Sequence, residues 1–311
     1  MSNKTRPFYY GGQAVYEGVM IRGQKHLATA VRVPSGQIAM DTRPLPSLYL
    51  GRLRRTPFVR GTLVLLETLV LGTQALLRSA DLALAEEEVK VPTGAVWGAV
   101  AAGLALGVAL FLVAPLLIAR YTIFPFTSPL VGNILEGLLR IAMFVAYLKA
   151  TRLLPDLKRI YAYHGAEHKV VNAFESGEPL ELESARRYPT AHTRCGTSFV
   201  LIVFTIAILV YALAGRPSIW VSITLRIVLL PVIVGIGYEI VRFAANHGNN
   251  RYVRMLLSPG LALQSMTTAE PADDQIEVAL AAMKSALATD SAGQPTASED
   301  AQASPGAPIP S

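Results

Sequence analysis

Long apolar runs separated by polar segments organise the middle of this chain. One run extends from Thr93 to Ile118 and another from Thr197 to Ala214, and neither contains a charged residue. A third run, from Pro217 to Tyr238, contains one charged residue, and a fourth, from Pro129 to Tyr147, contains two. Each is long enough to cross a bilayer as a helix, which requires about 17 to 25 residues. The pattern therefore predicts a mainly α-helical membrane protein with about four transmembrane helices.

The two charged residues inside the fourth run stand at helical spacing. Glu136 and Arg140 are four positions apart, so their side chains share one face of a helix and can neutralise each other. The spacing predicts an ion pair inside the helix bundle. The alternative is a charged pair that lines a polar cavity.

The segments on either side of the apolar runs have different patterns. Short apolar runs at 14–21 and 27–33 are separated by glycine and proline, which predicts a small β-rich piece. Val59 to Ala83 has helical periodicity, which predicts an amphipathic or half-inserted helix, with a fifth span as the alternative. The predicted organisation is a cytoplasmic β-rich region at 1–60, the amphipathic helix and a connector at 61–92, a four-helix transmembrane domain at 93–260 with a histidine-containing loop at 149–196, an amphipathic helix region at 261–287 and a disordered tail at 288–311.

Basic residues are distributed unevenly around the predicted spans. Of the 28 Lys and Arg residues, twelve precede residue 93, eight lie in 149–195 and four follow Tyr238, whereas the two short connections have one each. Cytoplasmic loops of membrane proteins carry such an excess. The bias predicts a multi-pass protein of the cytoplasmic (inner) membrane with both termini and the central loop in the cytoplasm. The net charge of +6 then belongs to a protein whose partner is the lipid bilayer, and no nucleic-acid partner is predicted.

The composition agrees with this placement. Hydrophobic residues make up 52% of the chain and charged residues 16%, which is unlike an ordinary soluble domain. The first ten residues are polar and have no apolar core of a secretory signal. A single cysteine, Cys195, excludes an intrachain disulfide and fits a reducing compartment.

Residues 164–168, with the sequence His-Gly-Ala-Glu-His, are the leading candidate for chemistry. On a helix, two histidines four residues apart share one face, and here a carboxylate lies beside them. The order His-x-x-Glu-His is the inverted zinc-hydrolase motif, in which the histidines bind zinc and the glutamate activates a water. We predict a divalent metal site, most plausibly zinc, with His164 and His168 as ligands and Glu167 as the catalytic base. A histidine pair that only hydrogen-bonds its neighbours is the alternative.

A third ligand must come from another part of the chain. His192 and Cys195 directly precede a predicted span, so they lie at the same membrane face as the histidine pair. If both bind, the site is tetrahedral and closed, as structural zinc sites are. If only three residues bind, a position stays open for water, and the hydrolase prediction takes His164, His168 and His192 as these three ligands. Cys195 acting as a nucleophile with His192 is a further alternative. The remaining candidate ligands are Glu17, Glu239 and His247.

Residues 11–23 form a second notable segment, which is rich in glycine and predicts tight turns and close backbone approach. The segment lacks the Gly-Lys-Ser/Thr ending of a phosphate loop. Glu17 and Arg22 within it are candidates for positioning a substrate at the histidine site. The alternative is a hairpin that attaches the N-terminal piece to the membrane domain.

Five segments of the chain belong to one recognisable pattern: 11–23, 163–169, 194–199, 237–239 and 267–271. Taken together they resemble the bacterial DUF1385 family, also called YqhQ-like proteins. The resemblance covers roughly residues 8 to 287 and implies an integral membrane protein; the family is commonly labelled as predicted metal-dependent enzymes. Tyr16 and Thr193 stand where the family pattern has an aliphatic residue and a proline, and neither is a proposed ligand.

Two functions from different classes follow from these observations. The first is a membrane-embedded, metal-dependent hydrolase that acts on a lipid-linked or membrane-protein substrate from the cytoplasmic side. The second is a non-catalytic membrane scaffold or assembly factor, in which the histidine cluster is structural and the partner is another membrane protein. A transporter is a third class, but the chain shows no inverted repeat.

Overall fold

The structure is a computed structural model and describes residues 8–84, 92–247 and 250–292. The N-terminal part is a four-stranded antiparallel meander in the order β1-β2-β3-β4. Val15 pairs with Gly18, so a two-residue turn joins the first two strands, and its second residue, Glu17, has a φ of 53°. The predicted β-rich region is therefore a small sheet. Its strands are β1 Gly11–Val15, β2 Gly18–Arg22, β3 His26–Arg32 and β4 Ile38–Pro44.

Helices make up most of the remaining described chain. A π-helical turn, Ala109–Val113, joins the second helix to the third, so the two continue as one rod. The α-helices are α1 Val59–Ala83, α2 Thr93–Val108, α3 Ala114–Thr122, α4 Pro129–Thr151, α5 Pro155–Glu175, α6 Leu182–Arg186, α7 Gly196–Ala212, α8 Ile219–Asn246, α9 Arg251–Gln264 and α10 Asp273–Ala292.

Both faces of the small sheet are covered. Alternate side chains of a strand point to opposite faces, and β2 follows this rule: Val19 and Ile21 pack with α5 and α10, whereas Met20 packs with α1. On the first face lie Tyr163 of α5 and Met283 of α10, both fully buried. The sheet therefore joins three helices that are far apart in the sequence.

Four described helices are long and apolar enough to cross a membrane. They are Val59–Ala83, Trp97–Thr122, Pro129–Thr151 and Ile219–Ala244. The number of candidate spans agrees with the prediction, but the four helices are not the four that were predicted. Helix α1 meets the requirement although its pattern predicted an amphipathic or half-inserted helix. Helix α7, which was predicted as a span, is more apolar than α1 but has only 17 residues.

The C-terminal helix is longer than its sequence pattern predicted. The predicted disordered tail begins at residue 288, whereas α10 continues to Ala292. Residues 293–311 and the acidic connector at 86–88 lie outside the described residues. The extra turn carries Asp290, whose carboxylate accepts hydrogen bonds from the N-terminal sheet region and so holds the end of the helix in place.

Candidate functional site

A candidate metal centre lies where α5 meets the N-terminus of α7. The predicted helix extends over Pro155–Glu175, and its pitch places the rings of His164 and His168 with their centroids 4.4 Å apart. Cys195 is the residue immediately before α7. One ligand atom from each of these three side chains lies within 4.8 Å of the other two. The structure therefore brings together three of the four predicted metal ligands.

Backbone carbonyl groups fix the orientation of both histidine rings. His164 Nδ1 lies 2.9 Å from the carbonyl oxygen of Thr267, and His168 Nδ1 lies 2.5 Å from that of Thr190. A carbonyl oxygen only accepts, so Nδ1 carries the proton in each ring and Nε2 presents a lone pair. Metal-ligating histidines are oriented in the same way, with the second ring nitrogen donating to a carbonyl or carboxylate.

The free sides of these rings face other electron-rich atoms. His164 Nε2 lies 3.5 Å from Cys195 Sγ, and His168 Nε2 lies 3.5 Å from Glu167 Oε2. The Cys195 thiol can supply one proton to this group. When His168 is neutral with its proton on Nδ1, its Nε2 and the carboxylate are both acceptors. Buried acceptors that face one another are costly unless a cation lies between them. The cluster therefore has the electrostatic character of a cation site.

The donor set also fits a metal by its chemistry. Two imidazole nitrogens and one thiolate are ligands that suit zinc and other late first-row metals. Bonds of about 2.0 to 2.3 Å place tetrahedral ligand atoms about 3.3 to 3.8 Å apart. The contact of 3.5 Å between His164 and Cys195 already has this length. Small side-chain movements bring the third donor to the same separation.

Glu167 lies against this cluster and is almost completely buried. Its exposed fraction is 3%, and its Oε1 accepts a hydrogen bond of 2.9 Å from the backbone N–H of Gly12 in β1. Its second oxygen faces His168. The carboxylate therefore joins the N-terminal sheet to the histidine cluster, and one of its oxygens stays available to a proton donor in the site.

His192 is close to the cluster but turns its ring nitrogen away from it. Its ring centroid lies 5.4 Å from that of His168, and its Nε2 lies 3.5 Å from Glu175 Oε2. The side chain of Gln264 accepts a hydrogen bond from the backbone N–H of His192 and donates one to the carbonyl oxygen of the same residue. Burial lowers the pKa of His192, Glu167 opposes this effect and His164 adds to it. Cys195, and not His192, completes the group of three that can hold a metal. His192 is a neighbour of this group, and its carbonyl accepts the backbone N–H of Cys195 at 3.4 Å.

Glu17 and Arg22, the two candidates for positioning a substrate, form ion pairs elsewhere along the interface between the sheet and the helices. Glu17 receives two hydrogen bonds, of 2.5 and 2.6 Å, from Arg159 and one of 3.3 Å from the hydroxyl of Tyr163. Burial, and secondly the charge of Glu17, raise the pKa of Tyr163, so its hydroxyl stays a donor. Arg22 donates to Glu67 of α1 at 2.7 Å. Their ion pairs attach the sheet to α5 and to α1.

The other two candidate ligands, Glu239 and His247, have their described contacts outside the cluster. Glu239 pairs with Arg60 and accepts the backbone N–H of Phe58 at 3.1 Å. His247 is exposed, and its Nδ1 bonds the carbonyl of Phe243 at 2.9 Å. Neither belongs to the group of three that can hold a metal.

Several residues of the site were not found by sequence reasoning. Glu175 lies seven positions after His168, two turns further along the same helix face, and this spacing was the available signal. Gln264 and the carbonyl groups of Thr190 and Thr267 gave no local signal. Thr190 reaches the site from the connection between α6 and α7. Gln264 and Thr267 reach it because α9 and the following segment fold back onto α5, where Ala269 N–H donates to the carbonyl of Tyr161 at 2.9 Å.

The amino-acid sequence is similar to a described protein family and to a named bacterial protein. The family described as "Protein of unknown function (DUF1385)" matches residues 56–289. The protein named "Uncharacterized protein YqhQ" from Bacillus subtilis (strain 168) is 33% identical over 299 residues, which are 90% of this chain and 92% of that protein. No solved structure matches.

Proposed function

The chain belongs to the DUF1385 family, and we propose that it is an integral membrane, metal-dependent hydrolase with a cytoplasm-facing site. Four apolar helices support the membrane environment, and the group of His164, His168 and Cys195 supports a metal. A lipid-linked or membrane-protein substrate suits a site that lies at the start of an apolar helix.

One observation carries the metal part of this proposal. Both histidines commit Nδ1–H to backbone carbonyls and direct Nε2 toward Cys195 and Glu167. A divalent metal ion such as zinc would supply Lewis acidity there. His164, His168 and Cys195 would hold the ion, and Glu167 would accept a proton from the attacking water. Glu17 and Arg22 position the sheet and, in this proposal, the substrate.

A first experiment measures metal content. We expect about one equivalent of zinc per chain in the full-length protein purified in detergent, because the three donors match a zinc ligand set. His164→Ala, His168→Ala and Cys195→Ala each remove at least one ligand, so we expect each to lose most of the metal by inductively coupled plasma mass spectrometry. His247→Ala, which changes an exposed histidine outside the group, retains it.

Two further readouts identify the ligands. Cobalt in place of zinc should give a near-ultraviolet sulfur-to-cobalt charge-transfer band in the wild type and none in Cys195→Ser. His192→Gln should keep the metal if three residues bind and lose it if the site is a closed set of four. Wild-type protein without stoichiometric metal, or a His164→Ala/His168→Ala double variant with full metal content, contradicts the proposal.

A scaffold function is the second candidate, and the bond from Gly12 N–H to Glu167 favours it, because a buried carboxylate that joins two elements is useful without catalysis. Glu167→Gln separates the two functions. The amide oxygen can still accept from Gly12, but the side chain no longer accepts a proton, so a hydrolase loses about 10²- to 10⁴-fold in rate.

The measurement for Glu167→Gln is the lipid and membrane-protein profile of cells that lack the chain and are complemented with each variant. As a hydrolase, the variant matches the null profile at unchanged protein level and metal content. Glu183→Gln, an exposed glutamate on α6, serves as the control and behaves as wild type. Full complementation by Glu167→Gln would show that this residue is not the catalytic base and would support the scaffold function.

A further inference from the structure

A buried cluster inside the bundle of apolar helices contains two arginines and one glutamate. Arg140 Nη2 donates to Glu136 Oε1 at 2.5 Å, and Arg226 Nη2 donates to Glu136 Oε2 at 2.8 Å. The exposed fractions of Glu136, Arg140 and Arg226 are 1%, 4% and 5%. One carboxylate thus faces two guanidinium groups. The ion pair that the i,i+4 spacing predicted is present, but α8 adds a second cation to it.

The excess positive charge is only partly compensated. The ring of Tyr211 lies beside both guanidinium groups, with its centroid 5.6 Å from Arg140 Cζ and 4.8 Å from Arg226 Cζ. A cation–π contact stabilises a cation less than a carboxylate does. The Nε atoms of both arginines are buried and have no hydrogen-bond partner among the described residues. Arg226 Nη1 also donates to the carbonyl of Ser222 at 3.3 Å. The unused N–H groups call for a further acceptor, and the excess positive charge favours one that is an anion.

A cleft opens beside this cluster. The cleft is shallow and narrow, and Arg226 lies in its wall. A second arginine, Arg216, lies in the wall on the connection between α7 and α8, and no carboxylate pairs with it among the described residues. Arg216 instead donates to the carbonyl oxygens of Thr127 and Ser128 at 2.6 and 2.8 Å. None of the residues that line the cleft is acidic.

We propose that this cleft binds a phosphate-bearing anion, with Arg226 and Arg216 as its charged ligands. Arginine presents planar, paired donors that match a phosphate, and it keeps its charge when buried. The anion supplies the negative charge that the cluster lacks. Asn133 and Ser222 also line the cleft, but their side chains donate to backbone carbonyls of its wall, so the charged ligands are the two arginines.

The position of the cleft suggests where the phosphate comes from. It lies at the C-terminal end of α7, whereas the histidine cluster lies at the N-terminal end, about 24 Å away along a helix of 1.5 Å rise per residue. The surrounding connections, at 123–128 and 213–218, mark the ends of apolar helices, which is the level of lipid head groups. The phosphate belongs either to an anionic lipid or to a free phosphate ion. The site is independent of the metal proposal.

The test uses full-length protein in a neutral detergent with two probes, dioctanoyl phosphatidylglycerol and inorganic phosphate. Retention of the probe in native mass spectrometry and the rise of the unfolding midpoint give the apparent Kd. Removal of a charge-assisted hydrogen bond weakens binding about tenfold or more, so we expect this loss in Arg226→Gln and in Arg216→Gln. A response to the lipid alone identifies a head group as the source, and a response to the ion alone identifies free phosphate.

Two controls make the test decisive. Arg120→Gln removes a charge at the same end of the bundle, in the last turn of α3, from a residue outside the cleft wall, and should bind as wild type. Glu136→Gln removes the competing carboxylate and should bind more tightly than wild type. If neither probe binds the wild type, or if Arg120→Gln weakens binding as much as Arg226→Gln and Arg216→Gln do, the proposal is overturned and the cluster is purely structural. Should Arg226→Gln not fold, Arg216→Gln and Glu136→Gln give the same decision.

Discussion

At the residue scale, the histidine pair shows how much a spacing determines. Four residues on a helix place His164 and His168 on one face, and the structure has them there. The spacing does not determine which ring nitrogen is free. That depends on the carbonyl groups of Thr190 and Thr267, which come from other parts of the chain. His192 illustrates the same limit, because Gln264 and Glu175 decide where its ring points.

Gly165, between the histidines, is required by a close approach of two chain segments. A Cβ at this position would lie 2.1 Å from the carbonyl oxygen of Ala269. The carbonyl belongs to the segment that also orients His164 through Thr267. The small residue thus allows α5 to contact the backbone that fixes its own histidine.

Gly165→Ala should destabilise the protein. Alanine favours a helix over glycine by about 1 kcal/mol, but forcing a Cβ into this contact costs about 1 to 3 kcal/mol or more, since both partners are backbone. We expect a lower free energy of unfolding in denaturant titrations and a weaker metal affinity. Gly98→Ala in α2, where a Cβ meets nothing within 4 Å, should be neutral or stabilising. Equal stability of the Gly165→Ala variant and the wild type would refute the argument.

At the element scale, α10 differs from its predicted form. The sequence predicts an amphipathic helix region at 261–287, where the helical spacing of Ile276, Leu280, Met283 and Leu287 gives one apolar edge. In the structure, Val278, Ala279 and Ala282 are buried as well, because α10 packs against both α5 and the sheet. Alanines at these positions permit the close approach on the second side. Periodicity alone indicates one covered face and cannot show that a helix has two neighbours.

Asp290 fastens the C-terminal end of this helix to the sheet. Its carboxylate accepts hydrogen bonds from the Tyr10 hydroxyl at 3.0 Å and from the backbone N–H groups of Gln24 and Lys25 at 2.7 and 3.3 Å. Asp290→Ala leaves these donors without their acceptor, so we expect a loss of about 1 to 3 kcal/mol in the free energy of unfolding. Lys284→Ala, at an exposed position of the same helix, should change little.

Limited proteolysis provides the second readout for Asp290. If the carboxylate holds the helix in place, the last turns of α10 become a cleavage site in Asp290→Ala and stay protected in Lys284→Ala. Protection of both variants to the same extent as the wild type, together with unchanged unfolding, would show that the helix is held by its apolar contacts alone.

At the scale of the whole molecule, the shared core limits the number of membrane crossings. The sheet, α5 and α10 pack together, so they lie on one side of the membrane. The chain between β4 and α5 must then cross an even number of times, and so must the chain between α5 and α10. Leu63, Leu71 and Ala75 of α1 pack on the sheet. The first turns of α1 instead contact α8, where the Thr62 hydroxyl donates to the carbonyl of Pro231 at 3.1 Å. Because α1 packs on the sheet as well as on α8, we predict that it does not cross, which leaves the rod of α2 and α3, α4, α7 and α8 as the four spans.

In this topology α7 is a membrane span, which its length alone does not show. With 17 residues it is at the lower limit for a span. The same topology also explains why a helix as apolar as α1 carries a buried glutamate, Glu67, since this residue faces Arg22 of the sheet and Arg54. Length and hydropathy identify candidate spans one helix at a time. Whether the number of crossings between two segments is even or odd depends on whether the segments pack in the same core.

Labelling with a membrane-impermeant maleimide tests the topology. Asp81→Cys at the end of α1 and Lys284→Cys in α10 should react from the same side of sealed vesicles, and Phe126→Cys, at a residue 84% exposed, from the opposite side. The wild type, whose native Cys195 is buried, measures the background. Reaction of Asp81→Cys from the same side as Phe126→Cys would mean that α1 crosses.

The sequence by itself determined the features that depend on neighbouring residues. Apolar runs set the helices, alternation and turns set the small sheet, and the i,i+4 spacing set the histidine pair and the pair of Glu136 with Arg140, since each is a property of local backbone geometry. Tertiary structure decided the rest. It selected Cys195 as the third member of the group, turned His192 toward Glu175, added Arg226 to Glu136 and placed α1 on the sheet. The physical reason is that these contacts join atoms from distant parts of the chain, and only the packing of a common core brings them within bonding distance.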